Sequence, residues 1–241
     1  MESTPSSLNH RHLLFFFFFL SIIAVLRLSA AASPFPTKSG YLTVNSTTGS
    51  AIFYTFYEAT NTTSNPQTPI VIWLQGGPGC SSMLANFYEL GPWLVKPDLS
   101  LGPNPGTWNR IFGLLFLDNP IGSGFSIAAS PQEIPRNQLG VAEHLFIAIK
   151  KFIALDANFK SRPIYITGES YAGKYVPAIG YHILKKESGV NLAGVAIGNG
   201  LTHPEVQVST HAVNAYNLGL INDKQKALLE GIQSKAVGYV R

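Results

Sequence analysis

One serine of the chain stands where its hydroxyl could act as a nucleophile. Gly168-Glu169-Ser170-Tyr171-Ala172-Gly173 follows a run of β-forming residues and opens a helical pattern, as in a nucleophile elbow, where small residues two positions either side of the serine let strand and helix approach. The helix would set its amino terminus behind the hydroxyl. Ala172 stands where the common pattern has glycine, and a serine that merely caps a helix reads in the same way. A second segment, Trp73-Leu74-Gln75-Gly76-Gly77-Pro78-Gly79-Cys80-Ser81-Ser82, is again strand, glycine-rich loop and helix. Such glycines let backbone N–H groups converge on a developing oxyanion, which acyl transfer at Ser170 would require; a tight turn is the plainer reading. The loop lacks the Gly-Lys-Ser/Thr ending of a phosphate loop and the Gly-x-Gly-x-x-Gly of a dinucleotide site. A third segment, Asp118-Asn119-Pro120-Ile121-Gly122-Ser123-Gly124-Phe125-Ser126, is either a binding loop or a wide turn.

All three segments follow short apolar runs, and in an open α/β sheet ligands bind beyond the carboxyl ends of the strands. Residues 70–74, 113–117, 163–167 and 192–197 are the runs, each typical of a strand buried on both faces of a parallel sheet. Helical patterns over 81–90, 138–155 and 171–186 lie between them. This alternation predicts an α/β fold with a mostly parallel sheet. Residues 40–59 read as an antiparallel hairpin ahead of it. Beyond Thr202 the chain turns helical and more polar, over 211–220 and 223–231.

The composition, 46% apolar and 12% charged in 241 residues with fifteen Phe and ten Tyr, excludes disorder, collagen-like repeats and coiled coil. The net charge of +4 is scattered along the chain, so there is no nucleic-acid footprint. One cysteine, Cys80, can make neither an internal disulfide nor a structural zinc site, and no metal or cofactor is expected. Residues 13–26 form an apolar run after His10, Arg11 and His12, followed by Ser29-Ala30-Ala31-Ala32-Ser33. This predicts a secretory signal peptide over 1–32. Arg27 closes the run short of the about twenty residues that a membrane span needs, so no stable membrane anchor is expected. Two sequons, at Asn45 and Asn61, predict glycosylation on the secretory route.

Trp73 to Ser82, Glu89-Leu90-Gly91-Pro92, Asn104-Pro105-Gly106-Thr107-Trp108-Asn109, Leu117 to Ser126, Gly168 to Pro177 and Gly198-Asn199-Gly200 resemble, in order, the motifs of the plant-type serine carboxypeptidase-like family. The similarity runs from about Gly40 to Leu220. It implies an α/β-hydrolase fold, a mostly parallel sheet with flanking helices. It further implies that Ser170 is the acylating nucleophile, that the backbone N–H groups of Gly77 and Tyr171 form the oxyanion hole, and that Glu89 and Glu169 recognise the substrate's free α-carboxylate with Trp73 and Gln75. Two carboxyl groups beside a carboxylate cannot all ionise cheaply, so protons are retained and the complex favours acid pH. The implied activity is release of carboxy-terminal residues from peptides or proteins through an acyl-enzyme, outside the cell or in a vacuolar or lysosomal lumen. Gln75 stands where the family commonly has Asn. Glu169 favours a peptidase over the family's acyltransferases, which tend to have Asp before the serine.

In α/β-hydrolases the triad runs serine, acid, histidine along the chain. Beyond Ser170 the only Asp is Asp223, and His182, His203 and His211 all precede it, none in the glycine-rich setting that the resemblance requires of the base. A serine without a base is a weak nucleophile. The expectation is therefore a partial α/β-hydrolase domain over 33–241, with a helical insertion beginning at about 202. The last strands, the acid, the base and a partner for Cys80 are expected beyond Arg241. A catalytically inactive member that keeps only carboxylate or peptide binding, and an acyltransferase, are the alternatives. A sheet ending there would carry an open edge.

Overall fold

Alternation of side chains along the central strands divides the core into two layers. A computed structural model describes residues 34–61, 67–186 and 189–240, and Pro36–Arg241 form one compact unit. The expected signal peptide and the last two residues of the Asn61 sequon lie outside the described residues. In chain order the elements are β1 (Lys38–Thr43), β2 (Ala51–Tyr57), β3 (Ile70–Leu74), α1 (Met83–Tyr88), β4 (Trp93–Val95), β5 (Leu101–Pro103), β6 (Gly113–Leu117), α2 (Gln138–Ala154), β7 (Ile164–Glu169), α3 (Ala172–Lys185), β8 (Leu192–Gly198), α4 (Pro204–Val208), α5 (His211–Asn217) and α6 (Asp223–Val240).

The main sheet has the order β1-β2-β6-β3-β7-β8. β1 and β2 are antiparallel, as the hairpin pattern predicts, and β6, β3, β7 and β8 run parallel. β3 and β6 are buried at every position, which is why their sequences are apolar without interruption. Ile70, Ile72, Leu74, Leu115 and Leu117 face α2 and α3, packing on Leu145, Ile149, Phe152, Val176 and Ile179. Val71, Trp73, Leu114 and Phe116 face the other way, onto Met83 and Ala85 of α1. α2 starts where expected because the Asn137 side chain accepts the Gly140 N–H at 2.9 Å, an ordinary N-cap.

Two elements depart from the sequence reading. β4 and β5 form a small antiparallel sheet, each only three residues long and too short to show a period; the turn between them is closed by Asp98, which accepts from the Ser100 N–H and hydroxyl. α6 continues through Gly231 to Val240, because a glycine in an exposed helix costs only about 1 kcal/mol and does not end it. β8 ends the strand order, so the open edge is found among the described residues, with Val195 50% and Ile197 36% exposed.

At the amino-terminal end of the parallel strands, Arg162 is buried and clamps three segments. Its guanidinium donates to both Glu58 carboxylate oxygens at 2.8 and 2.9 Å and to the Thr68 carbonyl at 2.6 Å, and it lies over the Phe159 ring. Partial burial pushes the Glu58 carboxyl up, but the Arg162 guanidinium and the Ala59 N–H outweigh it and hold the carboxyl below its ordinary value. A carboxyl lowered in the folded state stabilises the protein above its unfolded value, and the contribution is lost as pH falls through the folded one. Glu58 is half-exposed, so the pair contributes less than the about 3–5 kcal/mol lost when a fully buried pair is broken. Arg162→Met is expected to lower the unfolding free energy by about 2 kcal/mol at neutral pH, with a smaller deficit at about pH 3. Urea unfolding at both pH values checks this; a deficit independent of pH would contradict the ion-pair account.

Candidate active site

The turn from β7 to α3 holds Ser170 at φ 58°, a left-handed conformation that an L-residue keeps only when its surroundings enforce it. They do so through the backbone. The Ser170 N–H donates to the Gly198 carbonyl at 3.0 Å, and its own carbonyl accepts from Gly173 and Leu201 at 3.0 and 2.8 Å. Small residues are required around it: a Cβ at Gly168 would run into the Leu74 carbonyl and Ala172, and one at Gly173 would lie 2.6 Å from the Leu201 nitrogen. The helix cap is Tyr171 and has no side-chain cap bond. Ser170 is therefore not a capping serine, and its side chain is exposed at the carboxyl end of the sheet.

The glycine-rich loop after β3 lies directly on this turn. A Cβ at Gly76 would sit 2.6 Å from the Tyr171 nitrogen and 2.8 Å from the Ser170 Cβ. The loop folds through a Cys80 N–H to Gly76 carbonyl bond and positive φ at Gly77 and Gly79. Among the described residues, the N–H groups of Gly77 and Tyr171 donate to no acceptor.

The segment after β6 proves to be the anchor of that loop. Buried Asp118 accepts from the Ser81 hydroxyl at 2.7 Å, the Ser82 N–H at 2.8 Å and the Phe125 N–H at 2.8 Å. The Ser82 hydroxyl donates to the Leu117 carbonyl and accepts from the Gln75 N–H. The sequence reading left the chemistry of Asp118 open; its place just after a strand, level with Ser81 and Ser82 after the neighbouring one, was the available signal.

Trp73, Gln75 and Glu169 are joined in one chain of hydrogen bonds. The Trp73 indole N–H donates to Gln75 Oε1 at 2.9 Å, and Gln75 Nε2 donates to Glu169 Oε1 at 2.7 Å. The indole fixes which end of the buried amide faces the carboxylate. Glu89, just past the end of α1, completes the group: partial burial pushes its carboxyl up, and the Glu169 charge pushes the same way. Asn104 sets the backbone there, donating to the Glu89 and Gly91 carbonyls at 3.0 and 2.8 Å. Trp108 stands edge-on to Trp73 at 5.7 Å.

The other titratable candidates are engaged elsewhere. His182 is buried on α3 beside Phe146, His203 accepts the Val206 N–H at the start of α4, and exposed His211 opens α5. Asp223 lies near Tyr216 and pushes its phenol above the ordinary value. Among the described residues none of them bonds to the Ser170 hydroxyl. Asn45 lies on the β1–β2 turn, its carbonyl accepting the Thr47 N–H and its amide reaching Glu133 at 3.4 Å; Asn61 is exposed.

A serine on a strained strand-to-helix turn after β7, in a sheet of this order, defines the α/β-hydrolase class. The chain belongs to the serine carboxypeptidase family, whose model matches residues 29–240. It is 61% identical over 210 residues to serine carboxypeptidase-like 50 of Arabidopsis thaliana, covering 86% of this chain and 47% of that protein. Serine carboxypeptidase S10 family member 1 of Dictyostelium discoideum is 39% identical over 216 residues, covering 88% of this chain and 51% of its own. Among solved structures, Kex1(delta)p, a prohormone-processing carboxypeptidase from Saccharomyces cerevisiae, superposes with a TM-score of 0.69 at 29% identity, covering 77% of this chain and 43% of its own. The chain spans about half the length of the curated relatives it matches. No helix among the described residues is long and apolar enough to cross a membrane.

The carboxyl pair makes a prediction that needs no turnover. A carboxyl raised in the folded state contributes stability that is present below its unfolded value and lost as pH rises through the folded one. Glu169→Gln removes the neighbouring charge, so the Glu89 titration, followed by carboxyl carbon NMR, is expected to move down toward the ordinary range while staying above it because burial remains. An unmoved Glu89 titration would show that the two groups do not interact.

Proposed function

We propose that this chain carries the acylating and carboxylate-recognising parts of a serine-type carboxypeptidase that releases carboxy-terminal residues from peptides at acid pH. The observation that carries this reading is the exposed Ser170 hydroxyl on a left-handed turn, with the unbonded Gly77 and Tyr171 N–H groups on one side and the Trp73-Gln75-Glu169-Glu89 group on the other. The peptide's terminal carboxylate binds at Gln75, Glu89 and Glu169, where shared protons replace repulsion at low pH. Ser170 Oγ attacks the carbonyl carbon of the last peptide bond, and the new oxyanion accepts hydrogen bonds from Gly77 and Tyr171. The carbon–nitrogen bond then breaks, the terminal residue leaves with a proton on its amine, and water hydrolyses the acyl-serine.

The base that takes the Ser170 proton and the acid that orients it belong, in this reading, to the portion of the relatives that the present chain does not span. The apolar amino terminus and the sequons at Asn45 and Asn61 support passage through the secretory pathway, with glycosylation there and action outside the cell or in a vacuolar or lysosomal lumen. The likeness to a prohormone-processing carboxypeptidase of yeast supports peptide substrates. A second reading, carboxylate or peptide binding without turnover, is favoured by one observation: among the described residues no base bonds to Ser170.

A fluorophosphonate probe at about pH 5 separates the two. Slow covalent labelling of the wild-type chain, limited by the base that lies outside its span and abolished in Ser170→Ala, is the expected result. Removing one triad member costs roughly a thousandfold to a millionfold in such chemistry, so an absence of labelling in folded protein would leave the binding reading in place of the enzymatic one.

A further inference from the structure

The chain that leaves β2 runs back along the segment ahead of β6 and is tied to it by backbone bonds. The Thr60 N–H donates to the Asn109 carbonyl at 2.8 Å and the Asn61 N–H to the Arg110 carbonyl at 3.0 Å. Buried Asn109 returns the tie, its amide donating to the Glu58 carbonyl at 3.1 Å. Asn61 is exposed, yet its backbone is fixed.

Asn61 also forms part of the wall of a pocket of about 370 Å³, with Thr107, Trp108, Arg110, Ile111 and Phe112. Trp108 is 40% and Ile111 56% exposed, and large apolar side chains clustered in the open mark a contact surface. The Trp108 ring is held from behind, edge-on to buried Trp73 at 5.7 Å. Arg110 supplies the charge, its guanidinium donating to the Pro105 carbonyl at 3.4 Å. An apolar wall with one polar group at its rim is the lining of a small-molecule site, and the volume falls at the low end of the about 300–1,000 Å³ of such sites. That is room for a small ring rather than for a folded segment. Asn61-Thr62-Thr63 is a sequon, so one ligand of that size would have its point of attachment already in the wall. The chemistry agrees: one face of a pyranose presents mostly C–H groups that can pack on an indole, and its hydroxyl and acetamido oxygens can accept from a guanidinium.

We propose that a glycan on Asn61 is seated rather than free, its first N-acetylglucosamine lying in this pocket with a ring face on Trp108 and its oxygens toward Arg110. This rests on the secretory reading of the chain, under which the sequons are modified. The test uses the full chain made by a secretory host, and the mass of the wild-type product is read first. The protein is then trimmed while folded by an endoglycosidase that leaves one N-acetylglucosamine per site, and compared with Thr63→Ala, which abolishes the sequon but keeps Asn61. Asn45→Gln in both removes the other sugar. The expected result is an upfield ring-current shift of the sugar protons and Overhauser contacts from them to Trp108 and Ile111. Hydrogen exchange over 107–112 should be slower by about fivefold than in Thr63→Ala. Should that variant fold poorly, enzymatic removal of the last sugar from the folded chain gives the same comparison. A sugar on Asn61 with unshifted protons and equal exchange overturns the proposal and leaves the secretory reading standing. Slower exchange without Overhauser contacts overturns it too, since attachment alone would then stiffen the segment. A wild-type mass with sugar at Asn45 and none at Asn61 overturns only the proposal; no sugar at either refutes the glycosylation reading with it.

Discussion

Beside Gly76 two parts of the chain almost a hundred residues apart come into close contact, and the site depends on the space there staying empty. With a Cβ there only 2.6 Å from the Tyr171 nitrogen and 2.8 Å from the Ser170 Cβ, any side chain would push the loop after β3 away from the serine turn. The left-handed turn at Ser170 is held in the same way, by close backbone approaches at Gly168 and Gly173 that leave no room for substituents. Strain at the turn persists because strand, helix and loop all close on it. The apolar layers beneath, with β3 and β6 buried throughout, supply the rigid floor on which such tolerances can be kept.

The polar side of the site obeys a different logic. Trp73, Gln75 and Glu169 are joined end to end, so the orientation of one amide is decided by an indole and read by a carboxylate. Glu89 arrives from a separate segment whose backbone is set by Asn104. Partial burial, and beyond it the nearby Glu169 charge, raise the proton affinity of Glu89, which in the proposed function suits a site that meets a third carboxylate in acid. At the opposite end of the sheet the Arg162 clamp does the reverse, keeping Glu58 ionised. Acid therefore acts in opposite senses at the two ends of the sheet.

Much of this was legible in the residues alone. Uninterrupted apolar runs at 70–74 and 113–117 mark strands buried on both faces, and Gly168 to Gly173 marks an elbow, because burial and φ are local demands that a short window of sequence records. The ordered motifs carried the family resemblance and, with it, the expectation that Ser170, Gly77, Tyr171, Trp73, Gln75, Glu89 and Glu169 form the site; the structure brings these segments to one end of the sheet. The small β4–β5 sheet escaped because three residues show no period, and the full length of α6 escaped because the helical pattern was followed only to Gly231, while an exposed glycine does not end a helix.

What tertiary structure alone decided were the long-range polar links. Gln75 meets Glu169 across 94 positions and Ser81 meets Asp118 across 37. No periodicity or propensity encodes such pairings, since each depends on two strands being neighbours in the sheet and on the helix between them returning over it. The order β6-β3-β7 makes those segments adjacent, and only that adjacency turned an aspartate after a strand into a support of the loop beside Ser170.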